Sequence, residues 1–210
     1  MYRGQECLPD SVGVYDVMYR MRYTPWEHPS AAWAASLARW LDLEEAERNP
    51  PLGRALDLGC GRGQHTPELV RRGWEVVGVD YAPRAIEQAR RRGIDGATFL
   101  VADATDLPVD QLGLFNFVFD IGCFQHLDAG QRSAAGHGVT TLTSAGATLL
   151  MMAFTRPTPI GSFVKGISPG DVEAAFPGWD LLSAADADPG GMDWPMRTMQ
   201  PMWMRLRRRS

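Results

Sequence analysis

Short apolar runs alternate with segments of helical periodicity along most of this 210-residue chain. The runs are almost continuously apolar, which is typical of strands that are covered on both faces. The strand candidates are Ala55–Leu58, Val76–Val79, Thr98–Val101, Phe115–Phe119, Ala147–Phe154 and Pro201–Leu206. The helix candidates are Ala31–Leu43, Gln64–Arg72, Pro83–Arg92 and Ala129–Thr143, with a further helix start at Ser168. The alternation predicts an α/β, doubly wound, mostly parallel sheet with right-handed crossovers.

A glycine-rich turn directly follows the first predicted strand. That strand ends near Asp57, glycines follow at Gly59, Gly61 and Gly63, and the second strand ends in Asp80, twenty-three residues after Asp57. Glycine lets the backbone turn sharply and approach a ligand, because no Cβ blocks positive φ. An acid at the end of the second strand can bind both hydroxyls of a ribose. The pattern predicts a nucleoside pocket at the carboxyl edge of the sheet.

The glycine spacing favours one nucleoside cofactor over another. A dinucleotide site uses G-x-G-x-x-G to bring amide donors to a pyrophosphate, whereas Gly59 to Gly63 reads G-x-G-x-G. Asp57 would repel a phosphate at this position but would attract an ammonium group. A nucleoside with an amino-acid tail and no phosphate fits better. We therefore predict S-adenosyl-L-methionine as the cofactor and S-adenosyl-L-homocysteine as its product.

The stretch Ala55 to Gly63 resembles the first motif of the class I S-adenosylmethionine-dependent methyltransferases, and the resemblance extends over Arg54 to Phe154. It implies a Rossmann-like, seven-stranded sheet whose last strand is antiparallel. The chain departs from the usual L-x-P-G-G at Thr143-Ser144-Ala145-Gly146, which puts that turn in doubt. We expect one domain over residues 1–210, with a helical arm or lid at 1–50, a cofactor-binding core at 54–154, and acceptor-side loops and closing strands at 155–210.

The resemblance also assigns roles at the strand ends. Asp57 and the amides near Gly59 and Gly61 would hold the methionine end, and Asp80 the ribose. Tyr81 would lie against the adenine face, while Asp103 and the Ala104 amide would bind the adenine edge. The predicted cofactor-binding residues are Asp57, Gly59, Gly61, Asp80, Tyr81, Asp103, Ala104, Asp120, Ile121 and Trp26.

His126 is the candidate for chemistry. It follows the fourth strand and Asp120, in an arrangement similar to the family's motif of an aspartate, a small turn and a histidine. Methyl transfer mainly needs an aligned acceptor and, for a hydroxyl, removal of its proton. A histidine that titrates near neutrality suits that task. We predict that His126 is the general base; the alternative is a structural histidine that fixes the loop.

The segment from Tyr15 to Glu27 carries a narrower resemblance. With Tyr15, Tyr19 and a Thr-Pro-Trp ending at Trp26, it is similar to the N-terminal arm of the thiopurine, thiol/halide and tellurite-resistance methyltransferases. That resemblance implies an arm that folds over the cofactor and walls the acceptor pocket; Trp26 could equally serve packing. The predicted acceptor-pocket residues are Tyr15, Tyr19, Phe124 and Trp194.

Composition and net charge limit the classes of molecule that the chain is expected to bind. The formal net charge of −4 at pH 7 argues against nucleic acid, because neutralising phosphates needs a basic surface. No apolar run approaches the roughly 18 residues of a membrane-spanning helix, and Met1–Asp10 lacks a signal-peptide pattern. The three cysteines and four histidines show no disulfide or zinc spacing. We expect a cytoplasmic monomer or homodimer with a small-molecule acceptor, and no metal, nucleic-acid or membrane partner.

These observations predict a methyltransferase that acts on a small molecule. We favour O-methylation of a sugar or phenol hydroxyl. A thiol has a pKa of about 8.5 and therefore depends less on a general base to remove its proton. The N-terminal arm favours the alternative, S-methylation of a thiol, a thiopurine-like compound or a chalcogen. Two rivals from other classes stay open, namely a cofactor-binding module without turnover and a nicotinamide-dependent dehydrogenase.

Overall fold

The computed structural model describes residues 30–158, 164–190, 192 and 196–210. The strands in this part are β1 Arg54–Leu58, β2 Glu75–Asp80, β3 Ala97–Val101, β4 Phe115–Ile121, β5 Thr143–Phe154, β6 Trp179–Asp186 and β7 Pro201–Arg208. The α-helices are α1 Ala31–Glu45, α2 Thr66–Arg71, α3 Pro83–Arg91, α4 Val109–Leu112, α5 Ala129–Thr141 and α6 Pro169–Ala175. Single 3₁₀ turns lie at Phe124–His126 and Met196–Thr198. None of the described helices is long and apolar enough to cross a membrane.

All seven described strands form one sheet in the order β3-β2-β1-β4-β5-β7-β6. Neighbouring strands from β3 through β5 run parallel, whereas β7 is antiparallel to both β5 and β6. The predicted fold class is confirmed, including the antiparallel last strand. The chain order reverses between β1 and β4, so the crevice where doubly wound sheets bind ligands lies at the carboxyl ends of these two strands.

Helices cover both faces of the sheet. On one face α1, α2 and α3 bury Leu37, Leu69 and Ile86, and on the other α5 and α6 bury Val139 and Val172. Burying a side chain of this size contributes about 1.5–3 kcal/mol. Strands buried on both faces have continuous apolar sequences, and the apolar pattern therefore predicted the positions of the central strands well.

The edge strand β6 was missed by the sequence analysis. Its sequence, Trp179 to Asp186, is mostly exposed beyond Trp179, so it lacks a continuous apolar run. At the other boundary, β5 begins at Thr143, four residues before the predicted Ala147, and a register shift lies opposite, between Phe115 and Phe117. The segment that departs from the family pattern is therefore part of β5. The helix start at Ser168 is confirmed, since Ser168 accepts from the Asp171 N–H in a capping box.

A buried ionic cluster anchors α1 to the sheet. Glu44 is 1% exposed and accepts hydrogen bonds from Arg48, from Thr148 on β5, and from Arg205 on β7. Removing one partner of such a buried set costs about 3–5 kcal/mol. The cluster therefore fixes the C-terminal end of α1 over the amino ends of the strands.

The N-terminal end of α1 lies at the opposite edge. Ser30 caps the helix by accepting from the Trp33 N–H, and its hydroxyl donates to the Gly190 carbonyl in the β6–β7 connection at 3.2 Å. That connection leaves β6 at the carboxyl edge. Ser30, the first described residue, therefore lies at the edge where the ligand site is predicted.

Candidate cofactor site

Three buried carboxylates lie at the carboxyl ends of three adjacent strands. Asp80 is the last residue of β2, and Asp57 and Asp120 are the second-to-last residues of β1 and β4. Asp57 is 4%, Asp80 9% and Asp120 0% exposed. Because burial penalises a charge that lacks compensation, each carboxylate depends on its hydrogen bonds or on a ligand. The structure thus brings together the acids of the first, second and fourth strands.

Asp80 joins the glycine turn to the start of α3. Its Oδ2 accepts from the Gly61 N–H at 2.9 Å, and its Oδ1 accepts from the Ala82 N–H at 2.8 Å. Burial raises the pKa of Asp80, and the two backbone bonds oppose that rise. Each carboxylate oxygen can accept a second bond. Asp80 therefore shapes the turn and retains acceptor capacity for a diol.

Asp57 interacts with a residue that the sequence analysis did not select. The Thr66 hydroxyl, at the first residue of α2, donates to Asp57 Oδ2 at 2.7 Å, and Thr66 is fully buried. Burial, with the charge of Asp80 adding to it, raises the pKa of Asp57 to about 7, although the Thr66 bond opposes the shift. A cation placed beside Asp57 would hold it ionised at neutral pH. The carboxylate is therefore suited to an ammonium or sulfonium group.

Asp120 organises the turn after β4. Its two oxygens accept from the N–H groups of Cys123 at 2.9 Å and Phe124 at 3.1 Å. Burial raises the pKa of Asp120 to about 7 against the effect of these bonds. Its neighbour Ile121, a half-buried residue, ends the strand. The contribution of Asp120 that the structure describes is to place Phe124–His126.

The glycine turn requires its glycines. Gly59 has φ +70° and Gly61 has φ +55°, values that side chains rarely adopt. A Cβ at Gly59 would also lie 2.5 Å from the Cβ of Cys123. Burial raises the pKa of the Cys123 thiol, which keeps it protonated. This close approach packs the turn after β1 against the turn after β4, so both turns lie at the same candidate site.

The residues predicted to bind adenine lie at the neighbouring strand end. Asp103 Oδ1 accepts from the N–H and the hydroxyl of Thr105, both at 2.8 Å, which stabilises a turn after β3. Ala104 is 9% exposed and packs into the core. Tyr81 follows Asp80 and packs beside Ala82. All three lie at the expected edge, and their adenine contacts stay predictions.

His126 lies in the 3₁₀ turn at the same edge. Its ring Nε2 is 3.4 Å from Nε2 of Gln125, a residue that sequence reasoning passed over. Phe124 in this turn is 0% exposed, with its ring 5.4 Å from that of Phe176 between centroids. Phe124 thus supports the turn from within the core. The predicted residues Tyr15, Tyr19, Trp26 and Trp194 lie outside the described residues.

His65 is the N-cap residue of α2, and its ring packs against aromatic side chains. It precedes α2 without making a side-chain capping bond. Its ring lies 6.4 Å from that of Trp33 and 5.9 Å from that of Phe119, between centroids. This packing lowers the pKa of His65 to about 4, because desolvation disfavours the charged ring. His65 is therefore neutral at physiological pH.

Comparison with known proteins agrees with this geometry. A family profile described as a methyltransferase domain matches residues 55–146. The chain is 29% identical over 118 residues to the 2-heptyl-1-hydroxyquinolin-4(1H)-one methyltransferase of Mycobacteroides abscessus, covering 54% of this chain and 52% of that protein. It is 30% identical over 90 residues to the ubiquinone biosynthesis O-methyltransferase of Xanthomonas oryzae pv. oryzae, covering 41% of this chain and 38% of that protein. The chain spans about half the length of these relatives or less.

A solved structure extends the agreement to the whole fold. The N-methyltransferase NodS from Bradyrhizobium japonicum WM9, in complex with S-adenosylhomocysteine, superposes with a TM-score of 0.75 at 16% identity, covering 96% of this chain and 100% of NodS. The methyltransferase-domain profile agrees with the predicted S-adenosylmethionine cofactor, and the superposition shows that the chain has the fold of a methyltransferase. Residues 55–146 carry the sequence pattern of a methyltransferase domain on the class I methyltransferase fold.

Proposed function

We propose that this chain is an S-adenosylmethionine-dependent methyltransferase that methylates a hydroxyl group of a small molecule, with His126 as the general base. One observation carries the choice of cofactor. Three buried carboxylates lie around the glycine turn, those of Asp57, Asp80 and Asp120. Burial raises the pKa of each of them. Such a site favours a cationic nucleoside and disfavours a pyrophosphate, which argues against the nicotinamide-dependent dehydrogenase.

The residues fit the cofactor in chemical type. Asp57 would face its ammonium or sulfonium charge, and the second lone pairs of Asp80 would receive the ribose hydroxyls. When bound, the cofactor supplies a methyl group that its sulfonium activates for displacement. The turn after β4 lies against the glycine turn through Gly59 and Cys123, so a cofactor bound at the glycine turn would lie beside the turn that carries His126. His126 would take the acceptor's proton as the neutral ring.

Oxygen as the acceptor atom is supported by two relatives. One is named for a hydroxyquinolinone, and the other is an O-methyltransferase. Sulfur is the alternative, and it is supported by the resemblance of Tyr15 to Trp26 to the thiopurine and thiol methyltransferase arm. The position of Ser30 at the carboxyl edge is consistent with that arm reaching the site.

The first experiment separates the cofactor classes. Isothermal calorimetry should detect binding of S-adenosylmethionine and no binding of NAD. Incubation with a panel of phenols, sugars and thiols should add about 14 daltons, one methyl in place of hydrogen, to the accepted class. Cofactor binding without turnover of any panel member would favour the binding module.

The second experiment tests the base. His126→Ala should lower kcat for a phenol by about 10²–10⁴-fold and leave cofactor affinity nearly intact. The matched control is His137→Ala, which removes an exposed histidine on α5 and should leave kcat unchanged. If His126→Ala stays within a few-fold of wild type on a phenol, then His126 is structural and the sulfur acceptor becomes the better proposal.

A further inference from the structure

Both polar atoms of the Gln125 side-chain amide have a partner, and one of these partners is His126. Gln125 is 3% exposed, and its Oε1 accepts from the Phe154 N–H, at the end of β5, at 2.6 Å. Because a backbone N–H can only donate, the atom that faces Phe154 must be the carbonyl oxygen. The amide nitrogen must then face His126, where the two Nε2 atoms are 3.4 Å apart. The orientation of the amide is fixed by chemistry.

This orientation of the Gln125 amide indicates which ring nitrogen of His126 carries the proton. An amide nitrogen donates and does not accept, so His126 Nε2 must be the acceptor in the contact. The neutral ring then carries its proton on Nδ1, and Nε2 holds the basic lone pair. Protonation of Nε2 would set an N–H against the N–H of Gln125. A neutral ring with its proton on Nδ1 is the form that a general base acting through Nε2 needs.

Gly122 provides the room for this amide at the end of β4. Its φ of +82° carries the chain away from the strand, and a Cβ at this position would lie 3.2 Å from Gln125 Nε2. The two nitrogens thus lie where the turn after β4 meets the end of β5. With the nitrogens 3.4 Å apart, one oxygen atom can lie about 2.9 Å from both.

We propose that Gln125 and His126 form a two-point clamp for the acceptor hydroxyl, in which the Gln125 amide donates to the oxygen that His126 deprotonates. The inference rests on the proposed O-methylation. As the oxygen forms its bond to the methyl carbon, the carbon–sulfur bond breaks and leaves its electron pair on sulfur. The acceptor hydroxyl replaces the direct contact between Gln125 and His126, and its proton goes to the lone pair that this frees on His126 Nε2. Gln125 thereby becomes a specificity-determining residue, because an N–H donor binds oxygen far better than it binds sulfur.

The test uses 4-methylphenol and 4-methylthiophenol as matched probes. Gln125→Glu keeps an acceptor for the Phe154 N–H but replaces the donor with a carboxylate oxygen. It should lower kcat/KM for the phenol by about 10–100-fold, the effect of losing one hydrogen bond to a charged oxygen, and change the thiol within about threefold. The acid limb of the phenol profile should move to higher pH, because a carboxylate raises the pKa of a neighbouring histidine.

Controls separate the clamp from simple misfolding. Gln111→Glu makes the same chemical change at an exposed position of α4 and should alter neither probe. Gln125→Met removes the donor without adding charge, and it also removes the acceptor of the Phe154 N–H, which Gln125→Glu keeps. It should reproduce the selective loss on the phenol without the pH shift. Melting temperature and cofactor affinity report the fold of each variant. Independently of any variant, ¹⁵N NMR of labelled histidine should find Nε2 unprotonated in the neutral ring.

The outcomes distinguish this inference from the proposed function. If His126→Ala abolishes phenol turnover while Gln125→Glu and Gln125→Met keep the phenol-to-thiol ratio of the wild type, the clamp is wrong and the base stands. An Nε2–H tautomer also overturns the clamp. A wild-type enzyme that methylates the thiol and not the phenol overturns both.

Discussion

Asp80 and Asp120 close two turns with the same chemistry but at different range. Asp80 accepts from Gly61, 19 residues before it, and from Ala82, whereas Asp120 accepts from residues 3 and 4 positions ahead. Asp80 keeps 9% of its surface exposed and Asp120 keeps none. A long-range bond joins two loops around a ligand crevice, and a local bond builds the platform beneath a side chain. We therefore expect the same carboxylate–amide hydrogen bonds to serve ligand binding in one turn and positioning in the other.

The largest effect should come from the long-range turn. Asp80→Ala removes the acceptor for Gly61 and Ala82 and, on the proposed function, the ribose bonds. Hydrogen bonds to a charged group are worth about 1.5–3 kcal/mol each, so calorimetry should show S-adenosylmethionine binding at least tenfold weaker. Asp95→Ala removes an exposed acid in the turn before β3 and should leave affinity unchanged. Wild-type affinity in Asp80→Ala would reduce Asp80 to a turn former like Asp120.

A substitution in the local turn should affect kcat more than cofactor affinity. Asp120→Ala leaves the Cys123 and Phe124 N–H groups without their acceptor, at a cost of about 1–3 kcal/mol each if they stay buried. We expect a lower urea midpoint and a drop in kcat that exceeds the loss of cofactor affinity, because the turn carries His126. Asp110→Ala, on exposed α4, is the matched control. Equal losses in kcat and affinity would mean that Asp120 contacts the cofactor directly.

The pH dependence of binding sharpens the comparison further. Asp57 has a pKa raised to about 7 in the folded chain from an ordinary value of 3.8. Its contribution to folding stability is therefore present below about pH 4 and is lost as pH rises through 7, since the unfolded chain ionises first. A cationic ligand binds the ionised form, so affinity should rise between pH 6 and 7.5 by roughly tenfold.

Calorimetry in buffers of different ionisation enthalpy should detect the proton that binding releases. Asp57→Asn should bind more weakly at pH 7.5 and show a flatter dependence. If the variant keeps the full wild-type slope, the slope belongs to Asp120, whose pKa is also raised to about 7.

The sequence predicts a turn well when the contacts of that turn are between residues close in sequence or at a fixed spacing, and poorly when they join distant residues. The glycines, Asp57 and Asp80 stand at fixed spacing after apolar runs, so their place at the sheet edge could be predicted. The bond from Phe154 to Gln125 joins residues 29 apart and depends on the packing of β5 against the turn after β4. The edge strand β6 was missed because exposed positions weaken its apolar pattern. Periodicity predicts elements, but it does not predict which side chains meet between them.

His65 should give the smallest effect on activity, and it supplies the control for His126. His65→Phe keeps an aromatic ring against Trp33 and Phe119, so kcat and cofactor affinity at pH 7.5 should stay within about twofold. Desolvation lowers the pKa of His65 to about 4 from 6.5. The stability it contributes is therefore present above 6.5 and is lost as pH falls toward 4, because the unfolded chain takes up the proton first.

The variant should resist acid better than the wild type. A shift of this size is worth of order 2 kcal/mol at pH 5, and urea unfolding at pH 5 and pH 7.5 would measure the difference. The pH–rate profile should not move, since a ring that stays neutral above pH 4 cannot produce a limb near 6–7. A limb that disappears in His65→Phe would assign the titrating base to His65 and transfer the chemistry from the turn after β4 to the turn before α2.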